Sequence, residues 1–195
     1  DSYLQPAMDR SISNGFRCIK ELPGDTAMAK LMKPVSMAFR DYTKEKPVDD
    51  KTFEIYRQQF FFFISALNEK VEATLSNESW TAEKITFDAG YNNERVQAWL
   101  YLPKGFKPPY QTVLFFPGSN DIYLKNYDPL SINSRIDFIL KSGRALMRPI
   151  YKGTCERHDE LNSDLPDETV FYKDHLIMWR KDIGRSIDYL EKRKD

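Results

Sequence analysis

The sequence predicts an α/β fold in which a β-hairpin precedes two strands that alternate with helices. Residues 83–105 hold two stretches with apolar residues at every second position, separated by turn-forming residues. Residues 112–116 and 144–151 are short apolar runs, and a segment with apolar residues three or four apart follows each of them. Strands that alternate with helices in this way form a mostly parallel sheet covered by helices, with right-handed crossovers.

Composition defines the broad class of protein and disfavours several functions. The chain has 195 residues, of which 41% are hydrophobic and 14% aromatic, enough for a sizeable core. Its 29 basic and 29 acidic residues balance, which disfavours binding to nucleic acid or to an anionic membrane. No segment approaches the roughly 18 consecutive apolar residues of a membrane span, and residues 1–10 lack the pattern of a signal peptide.

The N-terminal part predicts an irregular arm followed by a helix. Prolines at positions 6, 23, 34 and 47 interrupt the arm. From Asp50 onward the spacing predicts an amphipathic helix, with the residues VDD as its cap. The apolar stripe of this helix consists of Phe53, Tyr56, Phe60, Phe63, Ile64 and Leu67. The four phenylalanines at 60–63 indicate either a helix buried on more than one side or an apolar surface for a partner or substrate.

The predicted hairpin consists of residues 83–90 and 94–105. Ile85 and Phe87 share one face of its first strand. One face of the second strand carries Val96, Ala98, Leu100 and Leu102. The residues AGYNNE between the strands form a turn signal, so the two strands are expected to pair antiparallel.

Residues 112–195 predict strand, helix, strand and helix. The run TVLFF is apolar on both faces, as expected within a covered sheet. A helix is predicted over 131–143, with Ser131 as a cap and Gly143 at its close. The strand over 144–151 then leads to a long amphipathic helix over 173–195. The predicted apolar face of that helix consists of Leu176, Trp179, Ile183, Ile187 and Leu190.

The apolar face of the last helix needs a sheet to cover. A further strand is therefore expected after Asp195, which predicts that the chain is a fragment of a longer protein with an incomplete sheet. The alternative is that a second copy of the chain completes the sheet.

The residues themselves resemble a known group of enzymes. The resemblance rests on the order of elements and on two phrases, ITFDAGYNNERVQAWLYLPKGFKPPYQTVLFFPGSN and RALMRPIYKGTCER. Together they resemble the N-terminal half of α/β hydrolases of the acetyl xylan esterase, dienelactone hydrolase and prolyl oligopeptidase group. The similarity covers residues 81–195. It implies that residues 50–195 are the N-terminal part of such a domain, and that the strand ending in the G-x-S-x-G nucleophile elbow comes next. No G-x-S-x-G occurs in the chain, and the chemistry of this group implies no cofactor and no metal.

A second resemblance lies at the other end. The phrase DRSISNGFRCIK resembles the closing segment of a formylglycine-generating-enzyme-like (sulfatase-modifying-factor) domain. It implies that residues 1–20 are the tail of a preceding domain, with residues 21–49 as a linker or arm. This order of domains is found in some bacterial proteins behind a protein-kinase domain, although no kinase motif is present here.

The resemblance assigns a role to the turn after the run TVLFF. In this group one oxyanion donor follows the third strand, just beyond a His-Gly pair; here Pro117 and Gly118 occupy that pair. Ser119, with Gly118, is then the candidate oxyanion donor through its backbone N–H. An ordinary β-turn explains the same residues, since Pro, Gly, Ser and Asn are common in turns. Ser119 is a poor nucleophile candidate because no helix follows the turn directly.

The histidines and cysteines predict no alternative site. His158 is interpreted as an exposed loop residue, and His175 as a surface or capping residue beside Asp174. Cys155 and His158 form C-x-x-H, which lacks the further ligands of a zinc site, and a Cys–His nucleophile there has no geometric support. Cys18 and Cys155 are expected to be free thiols.

Three residues are predicted to line a cleft: Asn120, Tyr151 and Arg157. They follow the two central strands, and ligands bind beyond the carboxyl ends of strands in open α/β sheets. A solvated loop held by charge pairs is the other interpretation of the segment YKGTCERHDE.

Three interpretations of function remain open. The first is the front part of a serine-type hydrolase of carboxylic esters, or of peptides, that is inactive alone because its triad lies beyond Asp195. The second is a non-catalytic α/β-hydrolase-like module that binds a ligand or partner within a kinase-associated protein. A third interpretation is a complete chain that dimerises through the phenylalanine run and the last helix. The expected partners are a small-molecule ester and, through exposed apolar surface, other copies of the chain.

Overall fold

A five-stranded sheet organises the chain in a computed structural model that describes residues 41–62, 65–132, 134–163 and 169–195. The strands are β1 Lys70–Ser76, β2 Trp80–Asp88, β3 Arg95–Pro103, β4 Thr112–Leu114 and β5 Ala145–Ile150. Their spatial order is β1-β2-β3-β5-β4, with β4 and β5 parallel and the other neighbours antiparallel. The described helices are α1 Asp50–Gln58, α2 Ser134–Lys141 and α3 Val170–Lys192.

The chain divides into two compact units, Asp1–Pro47 and Val48–Asp195. In the first unit the described residues include a short 3-10 helix, Tyr42–Lys44, which the Asp41 side chain caps by accepting from the Thr43 amide. The second unit contains the sheet and the three helices. The predicted arm lies largely outside the described residues.

The predicted hairpin is confirmed. Strands β2 and β3 pair antiparallel from Trp80 opposite Pro103 to Asp88 opposite Arg95. The turn between them is tight because Asn92 and Asn93 both adopt positive φ, which asparagine tolerates better than most residues. The apolar faces that were predicted to point inward on β2 and β3 are buried, apart from the half-buried Leu102.

Apolar clusters on both faces of the sheet confirm the α/β class. On one face Tyr189 of α3 stacks on Phe87, with ring centroids 5.5 Å apart. On the other face Ile139 and Leu140 of α2 pack against Trp99 and the neighbouring side chains of β2, β3 and β5. Because helices cover both faces, the central strands can be apolar on both sides, as the sequence of residues 144–151 predicts.

Strand β1 was not predicted from the sequence. It forms an edge of the sheet and nearly all of its side chains are exposed, so its alternation leaves no long apolar pattern to recognise. The charges of Lys70 and Glu72 are typical of an edge strand that avoids pairing with other chains.

The prediction of one helix from Asp50 to Leu67 is wrong. Helix α1 ends at Gln58, and none of its residues is buried, including Phe53 and Tyr56 of the predicted stripe. Leu67 lies beyond the helix and packs into the cluster around Phe87, while Phe60 and Phe61 are exposed. Phe63 and Ile64 lie outside the described residues. The spacing of apolar residues continues past Gln58, so it does not reveal that Leu67 packs against the sheet as part of a non-helical segment.

The predicted apolar face of α3 is also partly wrong. Leu176 and Ile187 remain 42% and 43% exposed. The buried side of the helix is instead mostly polar, and it carries His175, Asp182, Arg185, Ser186 and Tyr189. The polar residues can be buried because hydrogen-bond partners from distant loops reach them, which a pattern based on hydropathy alone cannot indicate.

Two details of the connection between β4 and β5 differ from the prediction. Helix α2 begins at Ser134, so Ser131 does not cap it; its hydroxyl donates to the Asp128 carbonyl at 2.7 Å. The expected closing glycine is confirmed, because Gly143 adopts φ +83° after the end of the helix.

Replacing Gly143 with alanine is expected to lower the free energy of unfolding by about 2–3 kcal/mol. A Cβ at this position would lie 2.6 Å from the Phe106 ring, on top of the cost of a positive φ. Gly105→Ala is the matched control, since Gly105 has φ +82° with no atom within 4 Å of such a Cβ, and about 1 kcal/mol is expected there. Urea denaturation measures both values, and equal losses would contradict the account.

Candidate functional site

The candidate site is built on the turn that follows β4. The pairing of β4 with β5 continues to Phe115, whose amide donates to the Met147 carbonyl at 2.8 Å. Gly118 is extended, with φ −74° and ψ 170°, and Ser119 begins a 3-10 helix, Ser119–Tyr123. The Pro-Gly-Ser segment thus turns the chain at the carboxyl end of a strand, where α/β sheets place their ligands.

A buried ion pair anchors this turn to β5. The Asp121 carboxylate accepts from the Arg148 guanidinium, and both side chains are buried. The guanidinium also lies over the Tyr127 ring, 3.6 Å from its centroid. The thiol of Cys155 donates to the Asp121 carbonyl at 3.8 Å. These contacts hold the segment that begins with Ser119 in one orientation.

Two cavities border the turn. The first, here called the aromatic cavity, has a volume of about 130 Å³ and lies between the turn, the end of β5 and α3. Its described lining carries no charged side chain and consists of Phe116, Pro117, Gly118, Ser119, Ile122, Tyr151, Thr154, Tyr172 and Trp179. The rings of Phe116 and Tyr151 lie 4.3 Å apart and those of Tyr172 and Trp179 6.0 Å apart.

The second, here called the polar cavity, lies on the other side of Pro117 and Gly118 and measures about 720 Å³. It is lined by several hydrogen-bonding side chains: Asn120, Asp121, Asn126, Tyr127, Asp128, Ser131 and Arg148. Phe115, Leu124 and Ile136 add apolar surface to this second cavity. A molecule placed at the turn therefore has a small space without charged side chains on one side, and on the other a larger space that offers hydrogen-bonding groups as well as apolar surface.

A buried ionic cluster fixes the loop after β5 to α3. Arg157 donates to the Asp182 carboxylate at 2.6 Å, to the Ile150 carbonyl at 2.9 Å and to the Tyr91 hydroxyl at 2.6 Å. The Tyr91 hydroxyl in turn donates to Asp182 at 2.7 Å. The side chain of Asp182 is completely buried. The cluster joins the loop after β5 to α3, the two parts of the chain that supply Tyr151 and Trp179 to the aromatic cavity.

The interpretation of His175 as a surface residue is wrong. The ring is buried, and its two nitrogens lie 2.9 Å from the Phe171 carbonyl and 3.0 Å from the Asp159 carboxylate. His175 therefore belongs to the contacts that hold the loop after β5. His158 is exposed, as predicted.

Cys155 is not an activated nucleophile. Burial, reinforced by the nearby Asp121 carboxylate, raises the pKa of its thiol to about 12, so the thiolate is scarce at neutral pH. The backbone N–H of His158 donates to the Cys155 carbonyl at 3.0 Å, but no described contact joins the exposed His158 ring to the Cys155 thiol. The described residues contain no group of three His, Cys, Asp or Glu side chains placed to hold a metal ion.

The predicted site residues separate into three locations. Gly118, Ser119 and Tyr151 line the aromatic cavity, whereas Asn120 lines the polar cavity. Arg157 lines neither cavity and uses its guanidinium in the buried cluster. Their assignment as oxyanion and cleft residues stays a prediction.

Sequence reasoning missed Arg148, Asp182 and the two α3 aromatics of the aromatic cavity. A signal for Arg148 was present, since a charged residue interrupts the apolar run RALMRPIY. A charge within a buried strand requires a buried partner, which here is Asp121. Asp182 carried no such signal because charged residues are common on helices.

No helix in the described ranges is both long and apolar enough to cross a membrane. No family model matches the chain, and no curated protein matches it. The resemblance of residues 1–20 to a formylglycine-generating-enzyme-like domain therefore has no support, and these residues lie outside the described ranges.

Several solved structures that are described as esterases match part of the chain. A Bacteroides fragilis protein provisionally described as an acetyl xylan esterase has a TM-score of 0.54 and 14% identity, covering 72% of this chain and 42% of its own. An acetyl xylan esterase from Paenibacillus sp. R4 has a TM-score of 0.47 and 14% identity, covering 87% of this chain and 52% of its own. A glucuronoyl esterase from Solibacter usitatus has a TM-score of 0.41 and 14% identity, covering 85% of this chain and 56% of its own.

The first of these similarities shows the class of fold. The sheet and its covering helices have the fold of the front part of an α/β-hydrolase sheet, as the sequence predicts. The chain spans roughly half the length of these structures.

Proposed function

We propose that this chain is the N-terminal part of a serine-type hydrolase that acts on small carboxylic esters. The observation that carries the proposal is the position of the Gly118–Ser119 turn, at the carboxyl end of β4 and between the aromatic and polar cavities. An ester whose carbonyl lies at this turn has room for its acyl group on one side and for its alcohol on the other.

In the proposed reaction this chain supplies electrostatic stabilisation. A serine on the nucleophile elbow attacks the ester carbonyl, with a histidine as base and an acidic residue to orient it. The backbone N–H of Ser119, supported by Gly118, stabilises the negative charge that develops on the carbonyl oxygen. The elbow, histidine and acid belong to residues beyond Asp195, so residues 50–195 alone are inactive.

The position of Asp195 supports this proposal. Its carbonyl accepts from the Tyr110 amide at 2.7 Å, two residues before β4 begins. A strand that continued from this point would therefore begin next to the segment that leads into β4. Strand β4 pairs only with β5 among the described strands, and residues of a longer protein are proposed to cover its other edge.

Hydrolysis of 4-nitrophenyl acetate tests the proposal. The chain of 195 residues is expected to give no saturable turnover above the buffer rate. The parent protein, meaning the proposed longer protein that includes the nucleophile elbow, is expected to turn over the ester with a measurable KM. Saturable turnover by the 195 residues, abolished by one substitution, would overturn the assignment. An inactive parent with a broken elbow would favour the non-catalytic module.

A further inference from the structure

The hydroxyl of Tyr151 is buried without a hydrogen-bond partner among the described residues. The side chain is 2% exposed, and its ring lines the aromatic cavity. Its hydroxyl oxygen has less than 1 Å² of exposed surface and makes no hydrogen bond to any residue that the structure describes. A buried hydroxyl that lacks a partner destabilises the folded state, so a position of this kind calls for a physical reason.

Other buried or half-buried tyrosines among the described residues have partners. The hydroxyl of Tyr91 donates to Asp182, and that of Tyr189 accepts from Arg193 at 2.9 Å. The hydroxyl of Tyr101 lies 3.0 Å both from the Tyr127 hydroxyl and from the Pro129 carbonyl. The fold thus satisfies phenol groups where they are structural, and Tyr151 departs from that pattern at the candidate site.

The surroundings of Tyr151 define the chemistry of an occupant. The described lining of the cavity contains no charged side chain, so an ionised ligand would find no countercharge there. Burial raises the pKa of the phenol well above its ordinary value, so the hydroxyl stays protonated and can donate. A volume of about 130 Å³ is close to that of an apolar cavity that holds benzene, which limits the occupant to about six heavy atoms.

We infer that the aromatic cavity binds a short neutral acyl group and that the Tyr151 hydroxyl donates a hydrogen bond to its carbonyl oxygen. The Phe116 ring packs against the Tyr151 ring with centroids 4.3 Å apart and is itself 50% exposed. Because the hydroxyl is covered in the structure, the inference requires the Phe116 ring to rotate outward when the ligand binds. The inference rests on the proposed function for the identity of the natural ligand, an ester with a short acyl chain. Binding itself requires no catalysis.

Ethyl acetate is a suitable probe for the 195-residue chain. The chain has three tryptophans, and only Trp179 lines the aromatic cavity, where its indole N–H donates to the Lys152 carbonyl at 2.7 Å. In a ¹⁵N-labelled sample, a titration with ethyl acetate is expected to shift the Trp179 indole resonance saturably. The indole resonances of Trp80 and Trp99 are expected to stay in place. The Trp179→Phe variant lacks this indole group, so the resonance that is missing from its spectrum is that of Trp179.

The variant Tyr151→Phe separates ligand binding from a structural role. It is expected to weaken binding of ethyl acetate roughly two- to tenfold, the effect of one hydrogen bond, and to leave the thermal unfolding midpoint unchanged or raised. Tyr101→Phe is the matched control. It is expected to lower the thermal unfolding midpoint and to leave ethyl acetate binding unchanged. A midpoint lowered as far by Tyr151→Phe as by the control, or unchanged ethyl acetate binding, would overturn the inference.

The two proposals fail in different ways. An unmoved Trp179 resonance would overturn the acyl-binding inference and leave the esterase proposal intact, because that proposal is tested on the parent protein. A parent without ester turnover, combined with intact binding by this chain, would overturn only the esterase proposal.

Discussion

Replacing Asp182 with alanine is expected to lower the free energy of unfolding by about 3–5 kcal/mol. The Asp182 side chain is 0% exposed and accepts from Arg157, from the Tyr91 hydroxyl and from the Lys152 amide at 3.1 Å. Its removal leaves the Arg157 guanidinium buried without its main countercharge. Losing one member of a buried pair costs more than the pair contributes, because the remaining charge stays desolvated.

Urea denaturation monitored by far-UV circular dichroism measures this loss. The control is Lys141→Ala, which removes the exposed ion pair between Lys141 and Asp137 on α2; such pairs contribute at most about 1 kcal/mol. A loss below about 1 kcal/mol for Asp182→Ala would show that the cluster does not hold α3 to the loop after β5.

Replacing Ser119 with proline is expected to reduce kcat of the parent hydrolase by about 10²–10³, the effect of losing one oxyanion donor. Proline removes the backbone N–H, which is the group assigned to the oxyanion. Ser119 is the first residue of a 3-10 helix and Gly118 is already extended, and these backbone positions suit a proline and the residue before it. The fold is therefore expected to survive the substitution.

Ser119→Ala is the matched control for that experiment. Alanine keeps the amide and removes only the hydroxyl, so kcat is expected to stay within a few-fold of the wild type. Steady-state kinetics with 4-nitrophenyl acetate compares the two variants. If alanine and proline were equally damaging, the side chain rather than the amide would be the functional group.

Sequence reasoning succeeded where one segment carries its own signal. The alternation at Ile85 and Phe87 and the turn at Asn92 and Asn93 are local, and they predicted the hairpin correctly. The turn at Gly118 was predicted from short-range chemistry and from the resemblance, and the structure places it at a strand end.

The parts that failed depend on contacts between distant residues. Asp182 meets Tyr91 across 91 positions, and a polar residue on a helix gives no sign of such a partner. The aromatic cavity also depends on distant residues, because Trp179 of α3 and Phe116 of the turn are brought together only in the folded sheet. Leu67 illustrates the opposite error, since its helical spacing was fortuitous and its burial comes from the sheet.

Covalent labelling of the parent protein with a fluorophosphonate tests the central claim most directly. Such probes react with the activated serine of a serine hydrolase, and peptide mass spectrometry locates the modified residue. The account predicts one label on a serine C-terminal to Asp195, and its loss when that serine is replaced by alanine. A label within residues 1–195, on Ser119 above all, or no label on the folded parent, would contradict it.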